Sequence, residues 1–157
     1  MSVDERMVHD IVQKVVANMQ ITGEVSGMRG VFKDMNDAIN ASIEAQKKVQ
    51  VMSLDQREKI ITNIRRKTRE NAELLANMGV NETGMGNVGD KILKHHLTAD
   101  KTPGTEMITT TAWSGDRGLT LVEMGPFGVI GAITPATNPS ETVICNSIGM
   151  LAGGNTV

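Results

Sequence analysis

The sequence predicts an α/β chain in which helices come first, a β-hairpin follows, and the start of a β–α–β unit comes last. Apolar residues recur at helical spacing through most of the first hundred residues. Two strand-like segments then flank a glycine-bounded turn. A short apolar segment, a proline-rich turn and an apolar helix complete the pattern. Because a parallel sheet needs neighbouring strands and helical cover, we expect this chain to be the N-terminal part of a larger, truncated α/β protein.

The composition excludes several classes of protein. The 157 residues are 39% hydrophobic and 22% charged, with a formal net charge of −2, as in an ordinary globular protein. One Trp, two Phe and no Tyr leave few aromatic side chains on which bases could stack. The chain also lacks the excess of basic residues that is typical of nucleic-acid-binding proteins. One cysteine excludes a disulfide framework and a multi-cysteine zinc site. The sequence has no apolar run long enough to cross a membrane and no secretory signal. We therefore expect a reduced, cytoplasmic protein without a metal site.

An amphipathic helix is predicted over residues 5–19, inside a first segment of residues 1–20. Its apolar stripe recurs at intervals of three and four and consists of Met7, Val8, Ile11, Val12, Val15, Val16 and Met19. Residues 21–30 contain three glycines and are predicted to form a flexible linker. Two destinations fit the apolar face, namely the body of this chain and another protein. The mixed charges of the polar face disfavour a membrane surface.

Three helices are predicted between residues 34 and 97. The first covers about residues 34–50. The second begins at Ser53-Leu-Asp-Gln56, which has the form of a capping box, and runs to near Gly79. Its charged residues, namely Arg65, Arg66, Lys67, Arg69 and Glu70, are predicted to lie on a solvated face. The third covers about residues 88–97, before Pro103-Gly104 breaks the pattern.

The last third of the chain predicts strands and one further helix. Two strands are expected on either side of Gly115–Gly118, joined as a hairpin. Residues Gly128–Pro135 predict a short strand buried on both faces. A helix over about Ser140–Ala152 and a second strand beginning at Asn155 follow.

Three motifs that suggest chemistry have simpler interpretations. Gly84, Gly86 and Gly89 form G-x-G-x-x-G, but no strand precedes them, so we predict a turn between helices and no phosphate loop. Cys145 lies among apolar residues without a nearby histidine and is predicted to be a buried core residue. The adjacent His95 and His96 point about 100° apart on a helix, and we predict that both lie at the surface. The same is predicted for His9.

The turn from Thr134 to Pro139 is the strongest candidate site. It follows a predicted buried strand and precedes a helix, which is where open α/β sheets place their ligands. Asn138 lies between two prolines and carries an amide with two N–H donors. Such an amide can stabilise a developing oxyanion, although asparagine before proline is also common turn chemistry.

Several segments together resemble a known family. They are Asn81-Glu-Thr-Gly-Met-Gly86, Thr102-Pro-Gly-Thr-Glu106, Gly118-Leu-Thr-Leu-Val-Glu123, Gly128-Val-Ile-Gly-Ala-Ile-Thr-Pro-Ala-Thr-Asn-Pro139 and Ala152-Gly-Gly-Asn-Thr156. In this order they resemble the CoA-acylating branch of the aldehyde dehydrogenase superfamily, in particular the propionaldehyde and acetaldehyde dehydrogenases of bacterial microcompartments. Ordinary aldehyde dehydrogenases typically have one residue fewer between the proline and asparagine of this turn.

The resemblance implies a fold, a reaction and site residues. Residues 31–157 would be the N-terminal part of a Rossmann-like NAD-binding domain. In the family, a cysteine thiolate attacks the aldehyde, NAD takes the hydride, and the thioester passes its acyl group to coenzyme A. Asn138 would donate to the oxyanion. The cofactor site would be lined, largely through backbone, by Ile133, Thr134, Pro135, Ala136 and Thr137. The family's nucleophile lies beyond Val157, so Cys145 does not match it, and we expect the isolated chain to be inactive.

The resemblance also implies partners. The helix of residues 5–19 resembles the encapsulation peptides that bind microcompartment shell proteins, which would place the enzyme in the compartment lumen. The hairpin at about Ile108–Met124 resembles the family's oligomerisation arm. Two alternatives remain open: a non-catalytic module that binds shell proteins, and an ordinary, non-acylating aldehyde dehydrogenase.

Overall fold

The computed structural model describes residues 30–157. The chain divides into two compact units, residues 1–38 and residues 39–157. The predicted helix of residues 5–19 and nearly all of the predicted linker lie outside the described residues, and both stay predictions.

Helix α1 (Met35–Val49) begins in the first unit and matches the predicted helix within one residue at either end. Asp34 precedes it, and its side chain accepts a hydrogen bond from the N–H of Asn36 (2.7 Å). This contact satisfies one of the N–H groups that have no partner inside a helix. In the second unit, the side chain of Gln46 on the same helix reaches the chain end, as described below.

Three further helices follow: α2 (Leu54–Glu70), α3 (Ala72–Thr83) and α4 (Val88–Lys101). The predicted capping box is present at the start of α2. Ser53 Oγ accepts from the N–H of Gln56 (3.2 Å), and the Gln56 side chain accepts from the N–H of Ser53 (2.9 Å). The predicted third helix is extended by four residues to Lys101.

The prediction of one long helix from Ser53 to Gly79 is wrong, because the helix is interrupted at Asn71. Both the backbone N–H and the side-chain amide of Asn71 donate to the carbonyl of Lys67 (3.1 and 2.8 Å). The Asn71 carbonyl in turn accepts from Leu75 in the first turn of α3 (2.9 Å). A short polar side chain that competes for a backbone carbonyl thus ends one helix and begins the next.

The turn after α3 is a helix-to-helix connection, as the sequence predicts for the G-x-G-x-x-G motif. Gly84 has φ 65° and Gly86 has φ 77°, both in the left-handed region that favours glycine. Asn87 then caps α4, with its side chain accepting from the N–H of Asp90 (2.8 Å). No strand precedes these glycines in the described chain.

The predicted hairpin is present. Strands β1 (Thr111–Gly115) and β2 (Gly118–Val122) are antiparallel, with Trp113 opposite Thr120 and Gly115 opposite Gly118. All ten strand residues are exposed.

The last helix, α5 (Pro139–Ala152), lies between the two segments of a short parallel contact. Val129 pairs with Thr156 as an isolated parallel bridge. The predicted order of strand, helix and strand start is therefore present, but the strand predicted over Gly128–Pro135 is wrong beyond that bridge. A strand needs hydrogen-bonding neighbours, and within residues 30–157 only the segment at Thr156 provides one. Residues 131–137 are exposed.

The described core lies between α2 and α5. Ile61 and Ile148 are fully buried against Ala152, with further apolar packing from Ile64, Ile144 and Leu151. Complete burial of a side chain of the size of Ile61 contributes about 1.5–3 kcal/mol.

Polar side chains fasten the chain end beside this core. Gln46 of α1 donates to the carbonyl of Gly154 (2.9 Å) and accepts from the N–H of Thr156 (2.8 Å). Asn155 accepts from the N–H groups of Phe127 and Gly128 (2.6 and 2.9 Å). These bonds hold the two segments of the parallel bridge together and so set where the following turn begins. No described helix has the length and apolar character needed to cross a bilayer.

Candidate active site

The turn that carries Asn138 connects the parallel bridge to α5. Asn138 is the N-cap residue of α5, and Pro139 occupies the first helical position, where its missing N–H costs nothing. An asparagine at this position ordinarily accepts a hydrogen bond from the first turn. The Asn138 side chain makes no such cap bond, so its amide is available for other partners.

The Asn138 amide is held at its oxygen by a cation. Lys94 Nζ, on α4, donates to Asn138 Oδ1 over 3.2 Å. On the other side, Asn138 Nδ2 has one long contact inside its own turn, 3.4 Å to Thr137 Oγ1. An amide nitrogen carries two hydrogens, so the second donor of Asn138 is not used by that contact.

A cleft of about 320 Å³ lies in front of this amide, between α4 and α5. Its lining consists of Lys94, Leu97, Thr98, Asn138, Glu141, Thr142, Cys145 and Asn146. Asn138 is partly buried and forms part of the wall of this open cleft, from which an amide can donate to a bound carbonyl.

Cys145 also lines this cleft, and the prediction that it is a buried core residue is wrong. It is exposed, because α5 packs on α2 through the face that carries Ile148 and Ala152.

A buried polar network lies behind the turn. Lys91 is only 3% exposed, and its Nζ donates to the carbonyl of Thr137 (2.9 Å). The nearest oxygen of the buried Glu141 is 3.9 Å from the same ammonium. A cation and a carboxylate are thus enclosed together beneath the turn.

His95 belongs to the same network, and its predicted surface location is wrong. The ring is fully buried, with Nδ1 2.7 Å from the Lys91 carbonyl and Nε2 2.9 Å from Ser140 Oγ. Both ring nitrogens have partners, which explains why the ring can be buried. His96, by contrast, is half-buried.

The segment predicted to line a cofactor has a backbone that suits this role. The structure gives no hydrogen bond from residues 30–157 to the backbone groups of Ile133–Ala136, and Ile133 is 98% exposed. Backbone N–H and carbonyl groups there can meet the ribose and amide groups of a nicotinamide nucleotide. The assignment of Ile133, Thr134, Pro135, Ala136 and Thr137 to a cofactor site stays a prediction. Within the same described range, no three His, Cys, Asp or Glu side chains converge as metal ligands would.

The sequence did not reveal Lys91 and Lys94 as site residues. Both contact residues of the turn that lie more than forty positions later in the sequence. The available signal is their spacing, because residues 91, 94 and 95 lie three and four apart and so share one helix face. That face meets the start of α5.

The helices, the parallel bridge and the amide-bearing turn define the opening part of an α/β ligand-binding domain. The model of the aldehyde dehydrogenase family matches residues 7–157. The chain belongs to the aldehyde dehydrogenase family.

Two curated relatives are acylating dehydrogenases by name. The chain is 43% identical to an acetylating acetaldehyde dehydrogenase of Bilophila wadsworthia, over 98% of this chain and 33% of that protein. It is 46% identical to a CoA-propanoylating propanal dehydrogenase of Salmonella typhimurium, over 82% of this chain and 28% of that protein. The chain spans about a third of the length of the curated relatives it matches.

Solved structures agree with the predicted fold class. A propionaldehyde dehydrogenase from the Clostridium phytofermentans fucose utilisation bacterial microcompartment matches with a TM-score of 0.78 and 79% identity, over 82% of this chain and 29% of that one. A Rhodopseudomonas palustris propionaldehyde dehydrogenase with bound CoA and an acylated cysteine matches with a TM-score of 0.76 and 52% identity, over 80% and 29%. The N-terminal part of an acylating aldehyde dehydrogenase fold is therefore confirmed.

Proposed function

We propose that the complete protein containing this chain oxidises acetaldehyde or propionaldehyde to the acyl-CoA, with NAD as hydride acceptor. The similar proteins support this proposal, because the names of those described above specify acetylating, CoA-propanoylating or propionaldehyde dehydrogenases. The observation on which it chiefly rests is the amide of Asn138, oriented by Lys94 and facing a cleft.

In the first step, a cysteine thiolate bonds to the aldehyde carbon and the carbonyl electron pair moves onto oxygen. The Nδ2–H of Asn138 donates to that oxyanion, which is an interaction made most strongly in the transition state. The Lys94 ammonium donates to Oδ1 and so leaves Nδ2 as the donor group of this amide for the oxyanion.

The second half of the reaction forms and then releases a thioester. When the oxyanion collapses, the carbon becomes a thioester carbonyl by loss of a hydride, which NAD, where bound, would accept. The coenzyme A thiolate then bonds to that carbonyl carbon, and the enzyme cysteine leaves as a thiolate. The exposed backbone of Ile133–Thr137 would hold the nucleotide next to the amide.

Cys145 is not assigned the role of nucleophile. It follows Asn138 by seven residues on the same helix, which is a distance of about 10 Å along the axis. An amide at one end of that span cannot donate to an oxyanion formed at the other. We therefore place the nucleophile elsewhere in the complete protein.

The test is an assay of the complete protein with propionaldehyde and NAD, with and without coenzyme A. We expect NADH formation that is accelerated by coenzyme A, together with stoichiometric acyl-CoA measured by mass spectrometry. NADH formation without acceleration would indicate an ordinary, hydrolytic dehydrogenase. Absence of NADH would favour a non-catalytic interaction module.

The same assay tests Asn138 directly. We expect Asn138→Ala to lower kcat by about 10²–10³, the usual cost of removing one oxyanion donor. The control is Asn77→Ala, an exposed asparagine of α3 outside the cleft, which should leave kcat within about twofold, since surface changes away from the chemistry are usually small. A kcat of the Asn138 variant equal to the parent's would contradict the assigned role.

We further propose that residues 5–19 bind the shell proteins of a microcompartment and that the hairpin contacts other copies of this protein. The first proposal is supported by the apolar stripe of the predicted helix. The second is supported by the exposure of both strands. Together they place the enzyme in the lumen of a cytoplasmic bacterial microcompartment as an oligomer.

A further inference from the structure

Lys91 is a buried cation whose partners must replace water. Its aliphatic stem passes beside Gly79 and Gly86, and its ammonium is enclosed. A buried charge is unfavourable unless hydrogen bonds and an opposite charge compensate it. The carbonyl of Thr137, at 2.9 Å, provides the hydrogen bond, and Glu141, at 3.9 Å, provides the opposite charge.

The carbonyl held by Lys91 belongs to the peptide group that contains the nitrogen of Asn138. Because a peptide group is planar, fixing its oxygen fixes the plane from which Asn138 continues. The next peptide group is held as well, since the Asn138 carbonyl accepts from the N–H and the hydroxyl of Thr142 (3.1 and 2.7 Å). The backbone on both sides of the proposed oxyanion donor is therefore fixed, on one side by α4 and on the other by α5.

Among the described residues, Lys91 is the cation that pairs with Glu141. The Lys91 carbonyl can only accept, so Nδ1 of His95 carries the hydrogen in that bond. Nε2 of the ring lies 2.9 Å from Ser140 Oγ. The Ser140 hydroxyl donates to Glu141 Oε2 (3.2 Å), and Glu141 Oε1 has no hydrogen bond within the described residues.

We propose that Lys91, with Glu141 as its counter-charge, is a positioning residue for Asn138. The inference rests on the proposed function, because it gives Lys91 a role only through the oxyanion donor. Lys91 touches neither substrate nor cofactor in this role. It holds the Thr137 carbonyl so that the amide of Asn138 is directed into the cleft before the aldehyde arrives, which avoids reorganisation during the reaction.

A double-mutant cycle in the complete protein tests this role. We expect Lys91→Met to lower kcat and kcat/KM together by about 10- to 100-fold, because a small displacement of a transition-state donor has a large effect. In the Asn138→Ala background, the same change should lower kcat by less than about threefold, since the group that Lys91 positions is then absent. Equal losses in both backgrounds would show a merely structural role and overturn the inference.

A second variant keeps the test decisive if Lys91→Met does not fold. Glu141→Gln retains the shape of the side chain and removes the counter-charge of Lys91. It should lower kcat in the parent and again have a much smaller effect beside Asn138→Ala. Additive losses in this cycle would equally overturn the inference.

The matched control is Lys101→Met, which removes an exposed lysine from the last turn of the same helix. It should leave kcat within about twofold in both backgrounds. If the parent is active but the losses in both double-mutant cycles are additive, the positioning role is overturned and the proposed function stands. A complete protein without CoA-dependent NADH formation would overturn the proposed function and, with it, this inference.

Discussion

Arg65 and Arg66 are adjacent in α2 but have different surroundings. Arg65 is largely buried and donates to two carbonyls at the end of α4, those of Ala99 (2.6 Å) and Thr102 (2.8 Å). Arg66 is about half exposed and pairs with Glu70 in the same helix. The guanidinium of Arg65 therefore closes the C-terminus of another helix, whose last carbonyls have no partner inside that helix.

This difference predicts unequal effects of the same substitution. Arg65→Met keeps the apolar stem but leaves two carbonyls without their donor, so we expect a loss of about 2–3 kcal/mol in the free energy of unfolding. Arg66→Met removes an exposed ion pair and should cost less than about 1 kcal/mol. Urea unfolding of the complete protein at pH 7 measures both, and equal midpoints for the two variants would contradict the prediction.

The pH of that comparison matters because of a neighbouring carboxyl. The pKa of Glu106 is held below its usual value, chiefly because the N–H of Gly104 donates to it (2.8 Å), with a smaller contribution from Arg65. A lowered pKa means that the ionised form stabilises the folded chain above the ordinary pKa. That contribution is lost as the pH falls through the lowered value. At pH 7 it is fully present in the parent and in Arg66→Met, while Arg65→Met loses the smaller part that Arg65 contributes.

The candidate site was only partly predictable at the scale of single residues. Asn138 could be identified because its flanking prolines and the helix that follows are local signals. The burial of Lys91 and His95 could not be, because their partners on the Thr137–Ser140 turn lie about 45 positions away. A polar side chain on a helix is ordinarily expected at the surface, and only the tertiary contact reverses that expectation.

At the scale of elements, local chemistry predicted helix starts and the hairpin better than helix ends and isolated strands. The capping box at Ser53 and the glycine-bounded turn of the hairpin use neighbouring residues only. The break at Asn71 was missed because apolar residues continue at helical spacing on both sides of it. The strand predicted over Gly128–Pro135 depends on partners elsewhere in the chain, and apolar composition alone does not supply them.

The predicted helix of residues 5–19 is an element whose role can be separated from catalysis. We expect deletion of residues 1–20 to leave kcat of the complete enzyme within about twofold, because the deleted segment contains none of the proposed site residues. The same deletion should release the enzyme from microcompartments, since its apolar stripe would no longer reach the shell. Co-sedimentation with purified compartments and an NADH assay measure the two effects.

Substitutions within the helix test whether packaging needs its apolar stripe or only the helix itself. Ile11→Asp with Val15→Asp places charges on the stripe and should abolish packaging. The matched control, Gln13→Asp with Asn18→Asp, adds the same charges to the polar face and should not. Packaging that survives the deletion or the stripe variant would show that targeting resides elsewhere.

At the scale of the whole molecule, the exposed hairpin is the element for which we propose a contact with other copies of this protein. A two-stranded hairpin is marginally stable in water by itself. Leu119 and Leu121 lie on one side of it, opposite Ser114 and Ala112 in the register, and both leucines are more than half exposed. Exposed apolar side chains on a protruding hairpin are typical of a contact between subunits.

Replacing those leucines should therefore change the assembly. We expect Leu119→Thr with Leu121→Thr, which introduces β-branched residues that suit a strand but removes apolar surface, to lower the mass of the assembly by at least one subunit. Ser114→Thr, on the same side of the hairpin, is the matched control and should leave the mass unchanged. Size-exclusion chromatography with light scattering measures both. If the leucine variant keeps the parent's mass, subunits associate through another surface and the hairpin requires a different partner.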